Sequence, residues 1–540
     1  MASPMPPMRD IPTLLRRFTE MGGEAARAAQ DAFIADFRAI LALPPDQVPE
    51  GTQEAAAWAA AVRNAHAYYA WSWDARAVSL VPDLVRAIET RAGAHRPDIE
   101  GLLELLDLLF FLGWCFEASN VAQCRLVLPG MRAAAGGFAR TARAGRPPRQ
   151  GRPLVCFLSM FAGARDVMTL GPRLVMRALR SLPRGGDGGC DIAMVAWRFA
   201  DPGFLDQMRA QGVQVTATGG ETPAERLAQA EAALAAIAPD IIISDMNNAV
   251  PIAIFARRAA PVQVFLQGGL PAFPQPGLDG VFDSFGIGAA ETGWGDARLL
   301  PFRPNWDLEM LVPAPDASQI AAERARMLPG EGKLIGSYGR LVKVTPEYLR
   351  AVEQILLAVP GARFVTGGSG DPGPILAFAK RSPVGHRMDV QGRWVPGHSW
   401  GRMLDLMLDT WPQTGGESVR ETMAKGCPVL AIRSAEMPAM DLQRDPALLA
   451  EDWDGYQALA IDLLRNEDAR AEAGRRAAAF AQHMADPAPF AGDIAASIAA
   501  LLDDARARPL PPAAPPILDP PPHPPEPPRG LLGRLFGMGR

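Results

Sequence analysis

A chain of 540 residues is long enough for two or three hydrophobic cores, because single cores rarely grow beyond about 250–300 residues. Its 48% hydrophobic and 21% charged residues are the balance of an ordinary globular protein, and a net charge of −5 gives no general pull toward nucleic acid or anionic membrane. Five scattered cysteines without CxxC spacing and six dispersed histidines speak against a disulfide scaffold and a metal cluster, so no metal or other cofactor is expected.

The first residues, MASPMPPMRDIPTLL, lack the basic start and apolar run of a signal peptide, and a cytoplasmic protein is the expectation. Residues from about 10 to 145 read as successive helices, with apolar side chains at three-to-four spacing, as in Phe33, Phe37, Ile40 and Leu41. The most hydrophobic stretch, 101–116, carries Glu104 and Asp107 and is too short for a relaxed membrane span; it predicts a buried amphipathic helix. Residues 136–152 are rich in Gly, Arg and Pro and read as a linker, so 1–148 is predicted to be an all-α domain.

The texture then changes. Short apolar runs at 154–160, 192–197, 213–217, 240–244 and 262–266 alternate with helical segments, one beginning near Val167 and another covering 223–237. Continuous apolar strands separated by helices imply a parallel sheet covered on both faces, with its ligand crevice at the strands' C-terminal ends. After a connector at 301–331 the pattern restarts, with strands at 333–338, 363–366, 388–391, 404–408 and 429–432 and a helix at 347–357. The predicted fold class is α/β of GT-B type: two Rossmann-like domains, 149–310 and 311–505, facing a cleft and preceded by the all-α domain.

Two segments carry candidate chemistry. In DLMLDTWPQTGGESVRETMAKGCPVLAI (405–432), a strand ends at Asp409, a turn holds Thr414, Gly415 and Gly416, and a helix begins near Glu417 or Ser418. Glycine lets backbone approach a ligand closely, and a helix start offers free N–H groups to a phosphate. Ser418 can cap the helix or donate to a phosphate oxygen, and Glu421, one turn in, can accept from ribose hydroxyls. In IGSYGRLVKVTPEY (335–348), a strand runs into a turn bearing Arg340 and Lys343 over the crevice, where a diphosphate needs positive charge. Thr345 is a natural N-cap and needs no functional explanation.

These segments, with IIISDMNNAVPIAIFARRAAPVQVFLQGGLPAFPQPGLDGVFD (241–283), resemble the O-GlcNAc transferase family, which includes bacterial cytosolic enzymes that glucosylate asparagines. Arg258, Ala260, Pro261 and Gln263 fit its R-x-A-P-x-Q pattern. The stretch from Arg340 through Lys343 to Pro346 resembles its lysine segment, and 409–429 its donor loop; the three matches come in family order over roughly 150–500. The resemblance implies an inverting, metal-independent GT-B enzyme that uses UDP-GlcNAc or UDP-glucose and acts on protein side chains. It implies that Lys343 contacts the diphosphate, that Gly416, Glu417 and Ser418 line the phosphate loop with Thr414 and Gly415, and that Glu421 binds ribose. His398 lies where relatives place nucleotide contacts, and reads either as such a contact or as a turn residue. Arg165 and Asp166 stand where relatives carry a histidine, as catalytic candidates or as part of a structural turn. Asn247, Gln267 and Gly268 are candidates for the acceptor side of the cleft.

The predicted partners are therefore a nucleotide-sugar donor and a protein or peptide acceptor, with no nucleic acid. The Pro-rich segment from 506 cannot bury a core and reads as an exposed spacer. It ends in RGLLGRLFGMGR, Arg529 to Arg540, which is either an exposed end or a docking peptide for a partner or the inner membrane face. Two other functions stay open on sequence: transfer to lipid-linked or capsular saccharides, and a non-catalytic nucleotide-sugar-binding scaffold.

Overall fold

The computed structural model describes residues 23–508 apart from 49–51, 73, 118, 142–145, 164–168, 182–188, 247, 268–276, 284–296, 301–302, 304, 314–315, 394 and 435–437. The tail with Arg529 to Arg540 and the candidates Arg165, Asp166, Asn247 and Gly268 lie outside these residues, as does the side chain of Gln267.

Five helices, Gly23–Leu41, Gln53–Ser72, Val81–Gly93, Ile99–Phe116 and Asn120–Ala139, form the N-terminal layer. Three of them start on side-chain caps that satisfy otherwise orphaned N–H groups: Thr52 accepts from Ala55 N at 3.2 Å, Asp98 from Gly101 N at 2.9 Å and Ser119 from Ala122 N at 3.1 Å. Helix Ile99–Phe116 is buried on nearly every side rather than on one face, which corrects the amphipathic expectation. Its two buried acids are accommodated by partners: Glu104 pairs with Arg63, and Asp107 accepts from Ala249 N at 3.2 Å. No helix among the described residues is long and apolar enough to cross a membrane.

The first sheet comprises β1 (Leu154–Ala162), β2 (Asp191–Ala200), β3 (Gln214–Ala217), β4 (Ile241–Ser244), β5 (Val262–Gln267), β6 (Gly280–Asp283) and β7 (Arg298–Leu299), in the order 3-2-1-4-5-6-7 and parallel throughout. Strand periodicity divides its two faces. Leu154, Cys156 and Leu158 pack toward the helical layer, whereas Val155 and Phe157 join the opposite core. The predicted linker is partly structure: residues 136–139 complete a helix, and Arg146 and Arg149 bind the buried carboxylate of Asp240. Asp240 also accepts from Leu154 N at 2.9 Å, tying β1 to the start of β4.

The second sheet comprises β8 (Lys333–Tyr338), β9 (Ala362–Gly367), β10 (Met388–Gln391), β11 (Leu406–Leu408), β12 (Val429–Ile432) and β13 (Leu449–Ala450). Their order, 10-9-8-11-12-13, repeats the 3-2-1-4-5-6 arrangement of a dinucleotide-binding sheet, again all parallel. Asp405 plays the part of Asp240 here, accepting from Leu334 N and Arg324, each at 2.7 Å. The predicted connector contains helices Leu308–Leu311 and Ala317–Met327. Helix Pro487–Ala507 crosses back, placing Phe490, Ile494, Ile498, Leu501 and Leu502 in the core of the first sheet.

Candidate functional site

At the C-terminal end of the second sheet, the chain leaves the paired strands β8 and β11 toward opposite flanks, to β9 and to β12, leaving the crevice typical of such a sheet. Two turns border it, one after each strand.

The turn after β11 is built around Asp409, which is 2% exposed. Its Oδ1 accepts from Thr410 N at 2.9 Å and Gly415 N at 2.7 Å, and its Oδ2 from Thr414 Oγ1 at 2.6 Å. Arg444 Nη2 lies 2.5 Å from the same Oδ2 and also donates to Thr414 Oγ1. Gly416 then takes φ +60° and ψ −114°, a left-handed region that favours glycine, and caps helix Glu417–Ala424 without a side-chain bond. A Cβ at Gly416 would meet nothing within 4 Å, so the turn is open on that side. Val419 N turns back to Gly416 O at 3.1 Å, which leaves the N–H groups of Glu417 and Ser418 without helical acceptors at the positive end of the dipole.

Ser418 does not cap the helix; its Oγ donates to Gly415 O at 3.1 Å, stiffening the turn from within. Glu417 turns its carboxylate onto Arg420 of its own helix, and Arg420 is held in turn by Gln443 Oε1 at 2.7 and 3.1 Å. Burial raises the Glu417 carboxyl above its ordinary range despite this partner. The backbone of Glu417, not its carboxylate, is thus the part suited to an anion.

The turn after β8 supplies the cations. Lys343 is half-buried and donates from Nζ to Thr414 O at 2.7 Å, bridging the two turns. Burial pushes its ammonium down to about 7, with Arg340 adding to the shift and Asp409 opposing it. Arg340 donates to Gln413 Oε1 at 2.6 Å. It also donates to Trp114 O of the helical layer, with its guanidinium 5.0 Å from the Trp114 ring centroid. Burial lowers Arg340 to about 10. Thr345 caps helix Pro346–Ala358 as expected, accepting from Tyr348 N at 3.4 Å.

Glu421 lies one turn beyond Glu417 on the same helix. Its Oε1 sits 2.5 Å from His398 Nδ1 and 3.1 Å from Lys425 Nζ, and its Oε2 accepts from the Tyr338 hydroxyl at 3.2 Å. Burial opposes the charged form, but His398 and Lys425 outweigh it and hold the carboxyl below its usual value. Gly397 permits this approach, since a Cβ there would fall 2.3 Å from Glu421 Oε2. The Tyr338 hydroxyl also meets Thr422 Oγ1 at 2.8 Å and Ser418 O at 3.2 Å, so it fastens the helix to β8.

The structure therefore brings Arg340, Lys343, His398, Thr414, Gly415, Gly416, Glu417, Ser418 and Glu421 to one crevice. It adds Tyr338, Asp409, Gln413, Lys425 and Arg444, which sequence reasoning did not single out as site residues. Lys425 had a visible signal, an opposite charge four residues from Glu421 on a helix. The R-x-A-P-x-Q residues prove to be braces: Arg258 donates to Pro261 O and Gly277 O, and Gln263 Nε2 to Phe255 O and Gly277 O. Among the described residues no group of three or more His, Cys, Asp or Glu is placed to hold a metal ion.

Two parallel dinucleotide-type sheets with a crevice at the second, and a last helix that returns to the first, define the GT-B fold. The fold is similar to that of an O-GlcNAc transferase mutant from Thermobaculum terrenum, over 92% of this chain and 98% of that one, with a TM-score of 0.56 and 18% identity. Anabaena HepE in complex with UDP-glucose matches 65% of this chain and 100% of its own, at a TM-score of 0.45 and 17% identity. No family model and no curated protein matches the sequence.

Proposed function

We propose that this chain is a glycosyltransferase that moves a hexose or N-acetylhexosamine from a UDP-sugar to a protein or peptide, with inversion and without a metal. The observation that carries the proposal is the meeting of Lys343 with the open helix start at Gly416, bridged by the 2.7 Å contact to Thr414 O. A sugar leaving a nucleotide deposits negative charge on the diphosphate. Groups that stabilise this charge more in the transition state than in the substrate accelerate the step. Lys343, Arg340 and the N–H groups of Glu417 and Ser418 are such groups, and Asp409 with Arg444 holds them in place before substrate arrives. Glu421 retains capacity for a ribose hydroxyl, because a carboxylate offers about four acceptor sites. The likeness of the fold to an O-GlcNAc transferase supports the sugar-transfer part of this reading. The catalytic candidates Arg165 and Asp166 keep only the support of the resemblance, and cytoplasmic residence only that of the sequence.

The test is turnover. Incubation with UDP-GlcNAc, UDP-glucose and their GDP and ADP counterparts, with a mixed peptide pool, should release UDP from at least one UDP-sugar and add its sugar mass to a peptide. Release from none of them would remove the proposal.

A further inference from the structure

Where the helical layer meets the first sheet, a second polar cluster lies outside the donor crevice. Between the paired positions Ser159–Ala196 and Phe161–Phe199, β2 advances by one residue more than β1. Such a bulge re-aims side chains at the end of a strand. Beyond it, Phe161 and Phe199 stack at 5.0 Å between centroids with Phe199 46% exposed, and the Arg198 guanidinium stands 5.0 Å from the Phe199 centroid. Arg226, in the first turn of helix Pro223–Ile237, donates to the carbonyls of Gly220 and Glu221. Among the described residues neither Arg198 nor Arg226 is in an ion pair.

The opposite wall is helical. His66 lies against Phe111 at 4.8 Å between centroids. Burial lowers His66 to about 4; Asp107 opposes this, and Arg198 and Arg226 add to it, so all four share one electrostatic neighbourhood. Three acids act on Arg226 across the cluster without an ion-pair contact to it, Asp107, Glu104 and Glu225; Glu104 pairs with Arg63, Asp107 accepts from Ala249 N, and Glu225 accepts from Thr222 N at 3.1 Å. The cluster also adjoins the donor crevice. Trp114, which touches Arg340, is three residues beyond Phe111 on one helix, or about 4.5 Å along its axis.

We infer that this surface cluster binds an acidic polypeptide segment, with Arg198 and Arg226 pairing its carboxylates and the exposed part of the Phe199 ring taking an apolar side chain. That this segment is the acceptor rests on the transferase reading; that it binds does not. Two local arginines beside an aromatic pair, on a chain of net charge −5, match a few spaced carboxylates better than a regular phosphate lattice.

Fluorescence anisotropy on the full chain, with and without saturating UDP, tests this. The probes are a short fluorescein-labelled peptide of Glu, Phe, Ser and Asn, the same peptide with Lys for Glu, and labelled poly-uridine. The Glu peptide should bind and the Lys peptide should not. Arg198→Glu and Arg226→Gln should each weaken binding about tenfold or more, Arg198→Lys should keep most of it, and UDP affinity and melting temperature should stay as in the parent. Equal binding of both peptides, indifference to both substitutions, or tighter binding of poly-uridine would overturn the inference. Failure of UDP to bind would instead remove the transferase reading, and the titration without UDP would still decide the surface cluster.

Discussion

Arg444 reaches Asp409 from 35 residues away and forms a buried ion pair under the crevice, its Nη2 2.5 Å from Asp409 Oδ2. The pair anchors the turn that carries Thr414 and Gly415, so it links the core of the second sheet to the geometry of the site. Removing one partner of a buried pair leaves an uncompensated charge, which costs about 3–5 kcal/mol. Asp409→Asn should therefore lower stability by about that much in urea denaturation, whereas replacing both residues with apolar ones should recover part of the loss. A single variant within 1 kcal/mol of the parent would show that the pair is not structural in this sense.

Gly416 offers a cleaner separation of fold from function. Alanine there meets no neighbour within 4 Å, but it must hold φ +60° with ψ −114°, outside the left-handed helical well, at about 1–3 kcal/mol. Its methyl also stands at the open mouth of the turn. Gly416→Ala should cost a few degrees of melting temperature at most and weaken UDP at least about tenfold, as expected where backbone must approach a phosphate closely. Undiminished UDP affinity in calorimetry would place the phosphate elsewhere.

On the proposed donor site, Lys343 should make UDP binding depend on pH. With its ammonium lowered to about 7, the free protein loses the proton as pH rises from 7, while a bound diphosphate restores the charge. UDP affinity should then fall from pH 7 to 9, by at most about tenfold per pH unit, with proton uptake on binding. Titrations in buffers of different ionisation enthalpy measure that uptake directly. A flat affinity without proton uptake would contradict the assignment.

Glu421 has a structural duty besides any contact with ribose. The Lys425 side chain beside it is fully buried, with its ammonium lowered to about 8 by burial against the opposing pull of Glu421. In Glu421→Gln the folded-state value should drop further below its unfolded value near 10.4. The unfolded chain then binds more protons through that window, and stability rises with pH. The deficit of the variant should be largest near pH 6.5 and shrink toward pH 9 in urea midpoints. A deficit independent of pH would mean that Lys425 is not the group left stranded.

The elements were legible wherever local rules act alone. Helix Pro223–Ile237 announces itself through Thr222, Pro223 and Glu225, and the structure shows the reciprocal capping box at that point. Strands such as Lys333–Tyr338 and Val429–Ile432 are apolar runs because both faces of a parallel sheet are covered. Long-range partners were not legible. Nothing near Asp409 in sequence points to Arg444, and nothing near Arg340 points to Trp114 in another layer. Ser418 read equally well as a cap or a phosphate donor until Gly416 was seen to occupy the cap position.

The central claim is that Lys343 and the helix start at Gly416 together form a diphosphate site. Isothermal titration of UDP into the parent and Lys343→Ala tests it most directly. Saturable binding to the parent and a loss of at least about thirtyfold in the variant are expected, the scale of a charge-assisted contact to phosphate, with the melting temperature unchanged. Equal affinity in the two proteins, or no binding of UDP to the parent, would contradict it.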